Sequence, residues 1–208
     1  MVVDFLFSST GLAFLAIFAM VAVVIGAVFF LISRAEKNRD RALKEFAEKH
    51  GLVFKPGSHL SPAKVLGELN GRSVTCNFIT KGRGRVHGVY FYFLMKAKGK
   101  KGSFSLVVSR ESILDGALKS SGAVKDIEVG RPGFDKKYFV RSNNEIKAKD
   151  FLSVDVQNRI AEELADPTNR LVIERGVAVV EMEVAYFNDE RLEKTAGLLS
   201  FVCEKMEG

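Results

Sequence analysis

Chemistry in this chain would have to come from few side chains: three histidines, two cysteines, one glycine-rich basic loop and one acid in a turn-forming stretch. His50, His59 and His87 show no metal-ligand spacing, and two distant cysteines make neither a zinc pattern nor a disulfide framework. No G-x-S-x-G elbow occurs, and neither Cys76 nor Cys203 sits beside a basic partner. Distance along the chain leaves a spatial triad open. The loop from Lys81 to Gly88, KGRGRVHG, has the glycines and cations of a phosphate cradle. It lacks the G-x-x-x-x-G-K-S/T arrangement and precedes a strand, so it reads as a flexible hairpin turn. Asp135 follows a glycine- and proline-containing turn with no second titratable group in a catalytic pattern, and reads as a turn or capping residue, not a general base. Cys76 alternates with Val74 and Phe78, and Cys203 lies on the apolar face of the last helix, which makes both small core residues. The expectation is therefore no catalytic residue, no cofactor site and no metal site.

The elements that position these residues begin with a membrane segment. No charged residue occurs between Asp4 and Arg34, and residues 5–33 are long enough to cross ~30 Å of hydrocarbon as one helix. A cleaved secretory signal would have a basic start, a shorter apolar stretch and small residues before its end. This segment has Asp4 at its start and Phe29, Phe30, Leu31, Ile32 and Ser33 before Arg34. A type IV pilin leader fits no better, because there is no basic leader and no early glutamate in the helix. Arg34, Lys37, Arg39, Arg41 and Lys44 follow the helix, against Asp4 before it, so the N-terminus is expected outside and the remainder cytoplasmic. The lack of any N-x-S/T site agrees with that orientation. Ala16, Ala19, Ala22 and Gly26 recur at steps of three, three and four, forming a narrow groove where a second helix could approach; plain lipid exposure is the alternative.

Residues 34–50, RAEKNRDRALKEFAEKH, are expected to continue the helix as a basic juxtamembrane segment, capped by Gly51. Arg34, Lys37, Arg41 and Lys44 fall on one side of the wheel, and Leu43, Phe46, Ala47 and His50 on the other. The apolar side can dock on the domain. The basic side can meet phospholipid headgroups, where each cation is worth about 1 kcal/mol, or simply be solvated. His50 reads as a favourable partner of the helix dipole. The formal charge of +6 suits a protein facing anionic lipid and does not by itself indicate nucleic acid.

Residues 51–208 form one α+β domain, long enough to bury a core. From Arg72 the period becomes alternating: RSVTCNFIT, GVYFYFLMKA and SFSLVV read as three strands of an antiparallel meander. The second is apolar on both faces, Tyr90, Tyr92 and Leu94 against Phe91, Phe93 and Met95, so a central strand covered twice is expected. A meander puts Lys81, Arg83 and Arg85 at one end of the sheet and Lys98, Lys100 and Lys101 at the other, which argues against a single nucleic-acid patch. A short helix follows at Glu111–Lys119, then strands at Asp126–Val129 and Lys137–Arg141. Asn143 or Asn144 caps one helix and Ser153 a second, which carries Val156, Ile160 and Leu164 and stops before Pro167. A hairpin closes the sheet, with Ala178, Val180, Met182, Val184 and Tyr186 on one face and Glu181 and Glu183 on an exposed one. A terminal helix with Asn188 as N-cap buries Leu192, Ala196, Leu199, Val202, Cys203 and Met206. That order favours antiparallel sheet packed with helices over a parallel doubly wound fold.

Val129, Gly130, Phe134, Asp135, Tyr138, Phe139, Val140 and Arg141, followed by two short helices and a hairpin, resemble a domain of uncharacterised single-pass membrane proteins of bacteria and archaea. The similarity covers roughly residues 45 to 205. Those proteins usually carry Gly-Asp where this chain has Gly130 and Arg131. The resemblance implies a cytoplasmic α+β domain on a membrane anchor and no obvious active site. Two function classes remain. One is a noncatalytic membrane-tethered module that binds a protein partner, or a second copy of itself, or organises an assembly at the cytoplasmic face. The other is an enzyme acting on lipid or on a membrane-bound substrate. A pocket with two titratable groups in hydrogen-bond reach would favour the enzyme; an exposed apolar surface would favour the binding module.

Overall fold

The computed structural model describes residues 9–58, 61–83, 86–99, 102–110, 126–164, 169–184 and 187–208. The chain divides into two compact units, one ending at Arg41 and one running Ala42–Gly208. Helix α1 (Ser9–His50) carries the apolar run. In the first unit its apolar side chains are exposed, Phe18 at 72% and Phe29 at 70%, and the helix is long and apolar enough to cross a bilayer. Residues 5–8 of the expected span lie outside the described residues.

The last nine residues of α1 belong to the second unit, where Ala42, Leu43, Phe46 and Ala47 are buried. Phe46 meets Phe93 edge-on at 5.7 Å between ring centroids. The helix ends as its sequence predicts: Gly51 takes φ +66° and Leu52 N–H donates to the Ala47 carbonyl at 2.8 Å.

Among the described residues eight antiparallel strands make one sheet: β1 (Val53–Lys55), β2 (Lys64–Leu69), β3 (Arg72–Arg83), β4 (Val86–Lys96), β5 (Ser105–Arg110), β6 (Tyr138–Ser142), β7 (Arg170–Glu174) and β8 (Val177–Glu183). Their spatial order is β1-β2-β3-β4-β8-β7-β5-β6. Two of its hairpins turn on two-residue loops. Leu69 pairs with Arg72 across Asn70-Gly71, both at positive φ, and Glu174 pairs with Val177 across Arg175-Gly176 in the same way. Such loops match the strand twist, which is why Asn-Gly is a strong hairpin signal. Along β3, β4 and β8, alternate residues Val74, Cys76, Phe78, Phe91, Phe93, Met95, Ala178, Val180 and Met182 share the buried face.

That face lies under helices. After α2 (Pro132–Asp135) come α3 (Glu145–Phe151), α4 (Val154–Glu163) and α5 (Asp189–Glu207). Asn144 caps α3 by accepting from Lys147 N–H at 3.0 Å, and Asn188 caps α5 by accepting from Arg191 N–H at 2.9 Å. Ser153 holds the cap position of α4 without a side-chain bond. Val156, Ile160 and Leu164 are buried as expected, as are Leu192, Ala196, Leu199, Val202 and Cys203 of α5, while Met206 is half-buried. The fold is thus an N-terminal apolar helix followed by an antiparallel sheet packed with helices.

Several expectations need correction. The third strand of the meander, β5, does not lie beside β4: β8 and β7 come between. β8 sets Met182, Val180 and Ala178 directly opposite Phe91, Phe93 and Met95, whereas β5 offers only Leu106 and Val108 to the core between serines. The apolar complement for the centre of the sheet therefore arrives last in the chain. β4 is central but not covered twice, since Tyr90, Tyr92 and Leu94 remain partly exposed. Asp126–Val129 is not a strand. Asp126 Oδ1 accepts from Val140 N–H at 2.9 Å and Ile127 N–H donates to the Val140 carbonyl, so a side chain replaces part of the ladder. β3 and β4 extend to Arg83 and from Val86, which leaves no eight-residue loop. β1 and β2 carry no clear sequence signal, because they are short and lie among Gly, Ser and Pro. The helix expected at Glu111–Lys119, and also Pro167 and Tyr186, lie outside the described residues.

Candidate functional site: a lysine-rimmed cleft and an open sheet face

Beyond β4, a cleft of about 400 Å³ opens between residues 97–99 and 102–104, α3, the β7–β8 turn and the end of α5. Phe104, Phe151 and Met206 supply its apolar wall, with the two rings tilted at 5.9 Å. Lys96, Lys98, Lys147 and Lys205 line it with a single carboxylate, Asp150. Among the described residues Lys96, Lys147 and Lys205 are in no ion pair; Lys205 lies 5.6 Å from the Phe201 ring.

Neighbouring bonds hold the walls. Ala97 N–H donates to the Gly176 carbonyl at 2.9 Å, which ties the loop to the β7–β8 turn. Ser105 N–H donates to Asn143 Oδ1 at 2.9 Å and Ser142 Oγ donates to the Ser105 carbonyl at 2.5 Å, which fixes the loop against the start of α3. Glu207 is the hinge pin at the third side. The buried guanidinium of Arg72 donates to its carboxylate through Nε at 2.8 Å and Nη2 at 2.6 Å, and Lys98 N–H donates at 2.6 Å. The Arg72 hydrogen bonds first, and then that of Lys98, hold the Glu207 carboxyl down at about 2. The fork geometry makes this a strong pairing, set one residue from Met206.

The opposite sheet face forms a second surface. Ile79, Tyr90, Tyr92, Leu94, Val172 and Val179 stand on it partly exposed, Ile79 at 38%. Glu181, expected to be exposed here, is buried between Lys81 at 2.8 Å and Arg170 at 2.9 Å. Lys81 Nζ also lies 4.7 Å from the centroid of Tyr92, so a residue read as part of a loose turn is a strand residue in an ion cluster. The carboxylate tolerates burial because two cations compensate it.

The other candidate residues separate. Arg34, Lys37, Arg41 and Lys44 are exposed along α1, and Lys44 reaches Glu48 at 3.7 Å. Ala16, Ala19, Ala22 and Gly26 are exposed on the same helix, and an added Cβ at Gly26 would meet nothing within 4 Å. His50 does more than face a helix end: its Nε2 lies 3.1 Å from both oxygens of Glu193, beside Lys49 Nζ at 2.8 Å. Burial would raise the Glu193 carboxyl, yet the hydrogen bonds from Lys49 and His50 prevail and lower it. Asp135 is a turn cap, accepting from Val129 N–H and Arg131 N–H, both at 2.9 Å. Both cysteines are fully buried, and burial pushes the Cys203 thiol up to about 11 and the Cys76 thiol upward as well. Lys81 and Lys98 do lie at opposite ends of the β3–β4 pair. His59, Arg85, Lys100 and Lys101 lie outside the described residues.

The cleft residues carry no sequence signal beyond an excess of lysine. Lys96, Lys147 and Lys205 come from three elements far apart in the chain.

No family model matches the chain, and no curated protein matches it. Among solved structures it is similar to the mycobacterial trehalose monomycolate transport factor A, TtfA, with a TM-score of 0.53 and 14% sequence identity. The match covers 80% of this chain and 93% of that one. The likeness is one of fold.

Proposed function

We propose that the chain is a noncatalytic, membrane-tethered accessory module that binds a protein partner at the cytoplasmic face of the membrane. The observation that carries this reading is the sheet face bearing Ile79, Tyr90, Tyr92, Leu94, Val172 and Val179, an aromatic and aliphatic surface on a rigid eight-stranded scaffold. The shared fold with a trehalose monomycolate transport factor agrees with an accessory role. α1 serves as the single anchor, with its N-terminus outside, on the strength of five cations after the apolar run and only Asp4 before it. Arg34, Lys37, Arg41 and Lys44 then face anionic headgroups. The enzyme alternative needs two titratable groups in hydrogen-bond reach inside a cleft.

Affinity purification of the full chain in mild detergent tests the proposal. A stoichiometric protein partner is expected. Ile79→Lys with Leu94→Lys should reduce its recovery about tenfold, the factor for ~1.4 kcal/mol, while Ile146→Lys on α3 leaves it unchanged. Recovery insensitive to the sheet-face pair, in variants that melt like the parent, would overturn the assignment of that face.

A further inference from the structure

Apolar and cationic side chains meet in the cleft after β4. We infer that it binds a single-chain anionic amphiphile, with the acyl chain against Phe104, Phe151 and Met206 and the anionic head among Lys96, Lys147 and Lys205. This site is separate from the sheet face assigned to a partner, so either assignment can fail alone.

Three observations carry the inference. The lining is amphipathic in the sense an amphiphile requires, since two phenyl rings and a thioether stand beside ammonium groups. The charges are unbalanced: four lysines and one carboxylate line the cleft, and although the Lys98 ammonium turns to Gly71 and feels Glu207, Lys96, Lys147 and Lys205 are in no ion pair among the described residues. Converging like charges raise the local potential for an anion, and an ammonium pairs well with either carboxylate or phosphate. Finally, the volume of about 400 Å³ lies within the range of small-ligand clefts, roughly 300–1,000 Å³, and the walls are held by Glu207, Asn143 and Gly176, so little ordering is left for binding to supply. A bare inorganic anion would leave the rings wet. A neutral chain would leave the lysines uncompensated.

The head could be a fatty-acid carboxylate or the phosphate of a lysophospholipid, and the probes separate these. Full-length protein in phosphatidylcholine nanodiscs is illuminated with three diazirine-bearing probes of one chain length: a fatty acid, a lysophosphatidic acid and a fatty alcohol. Labelled peptides are then mapped. Peptides containing Phe104, Phe151 or Met206 should carry at least one anionic probe about tenfold above the alcohol. The better of the two acids identifies the head. Lys147→Glu with Lys205→Glu, both exposed positions, should lower labelling about tenfold, and Lys147→Arg with Lys205→Arg should retain it. Equal labelling by the alcohol, indifference to the charge-reversed pair, or full displacement by millimolar inorganic phosphate would overturn the inference, the last because it would make the site one for a small anion.

Discussion

Glu207 shows how one side chain can hold a site together without taking part in it. Its carboxylate joins β3, through Arg72, to the loop that begins the cleft, through Lys98 N–H. Because its folded-state value is held near 2, below the ordinary 4.5, the bond contributes stability that is fully present above about pH 4.5 and is lost as pH falls toward 2. Urea melts of the parent and Glu207→Gln at a series of pH values should therefore converge over that window. A constant difference would show that the carboxylate's charge is not what the fold uses. Little of this was legible in sequence, because Arg72 and Glu207 lie 135 residues apart along the chain and have no motif in common. Asp135 differs: its place beside a glycine and a proline already specified a cap, and its two backbone bonds follow from that locality.

At the scale of elements, periodicity predicted α5 and the strands β3 and β4 well, but not which strand lies beside β4. Leu199 is fully buried under the sheet, whereas Ile146 on α3 is 75% exposed. Leu199→Ala should cost about 2–5 kcal/mol of unfolding free energy and Ile146→Ala no more than about 0.5. Chemical denaturation of both variants checks the contrast; similar losses would contradict the placement of α5. In α1, the small-residue groove yields a separate prediction about lateral association, since packing there depends on volume. Ala22→Ile and Gly26→Ile should weaken self-association measured by energy transfer in vesicles, and Val21→Ile and Val28→Ile should not. Equal behaviour of the four variants would reduce the helix to an anchor.

For the whole molecule, the unit Ala42–Gly208 contains the buried core formed by the described residues, including the end of α1. A chain shortened to begin at Arg39 should therefore fold, with a cooperative urea transition and no dye-binding apolar surface. A molten product would show that the anchor contributes to the fold. Topology is checked in intact cells. A cysteine placed at Val2 should react with an impermeant reagent and one at Lys149 should not, and the reverse pattern would invert the orientation.

The sequence by itself determined the elements whose causes are local. The uncharged run requires an apolar helix, Gly51 and Asn188 end and begin helices, and the alternation in β3, β4 and β8 chooses a buried face. Such features depend on neighbours two to four residues away, which is the range periodicity can report. Strand order and the cleft were decided only in the tertiary structure. The β7–β8 hairpin competes with β5 for the edge of β4, and it prevails by setting Ala178, Val180 and Met182 against Met95, Phe93 and Phe91. The same rearrangement brings the Gly176 turn beside Ala97 and draws Lys96, Lys147 and Lys205 around one cavity. Pairings over such separations depend on the complementarity of whole faces, which no local pattern encodes.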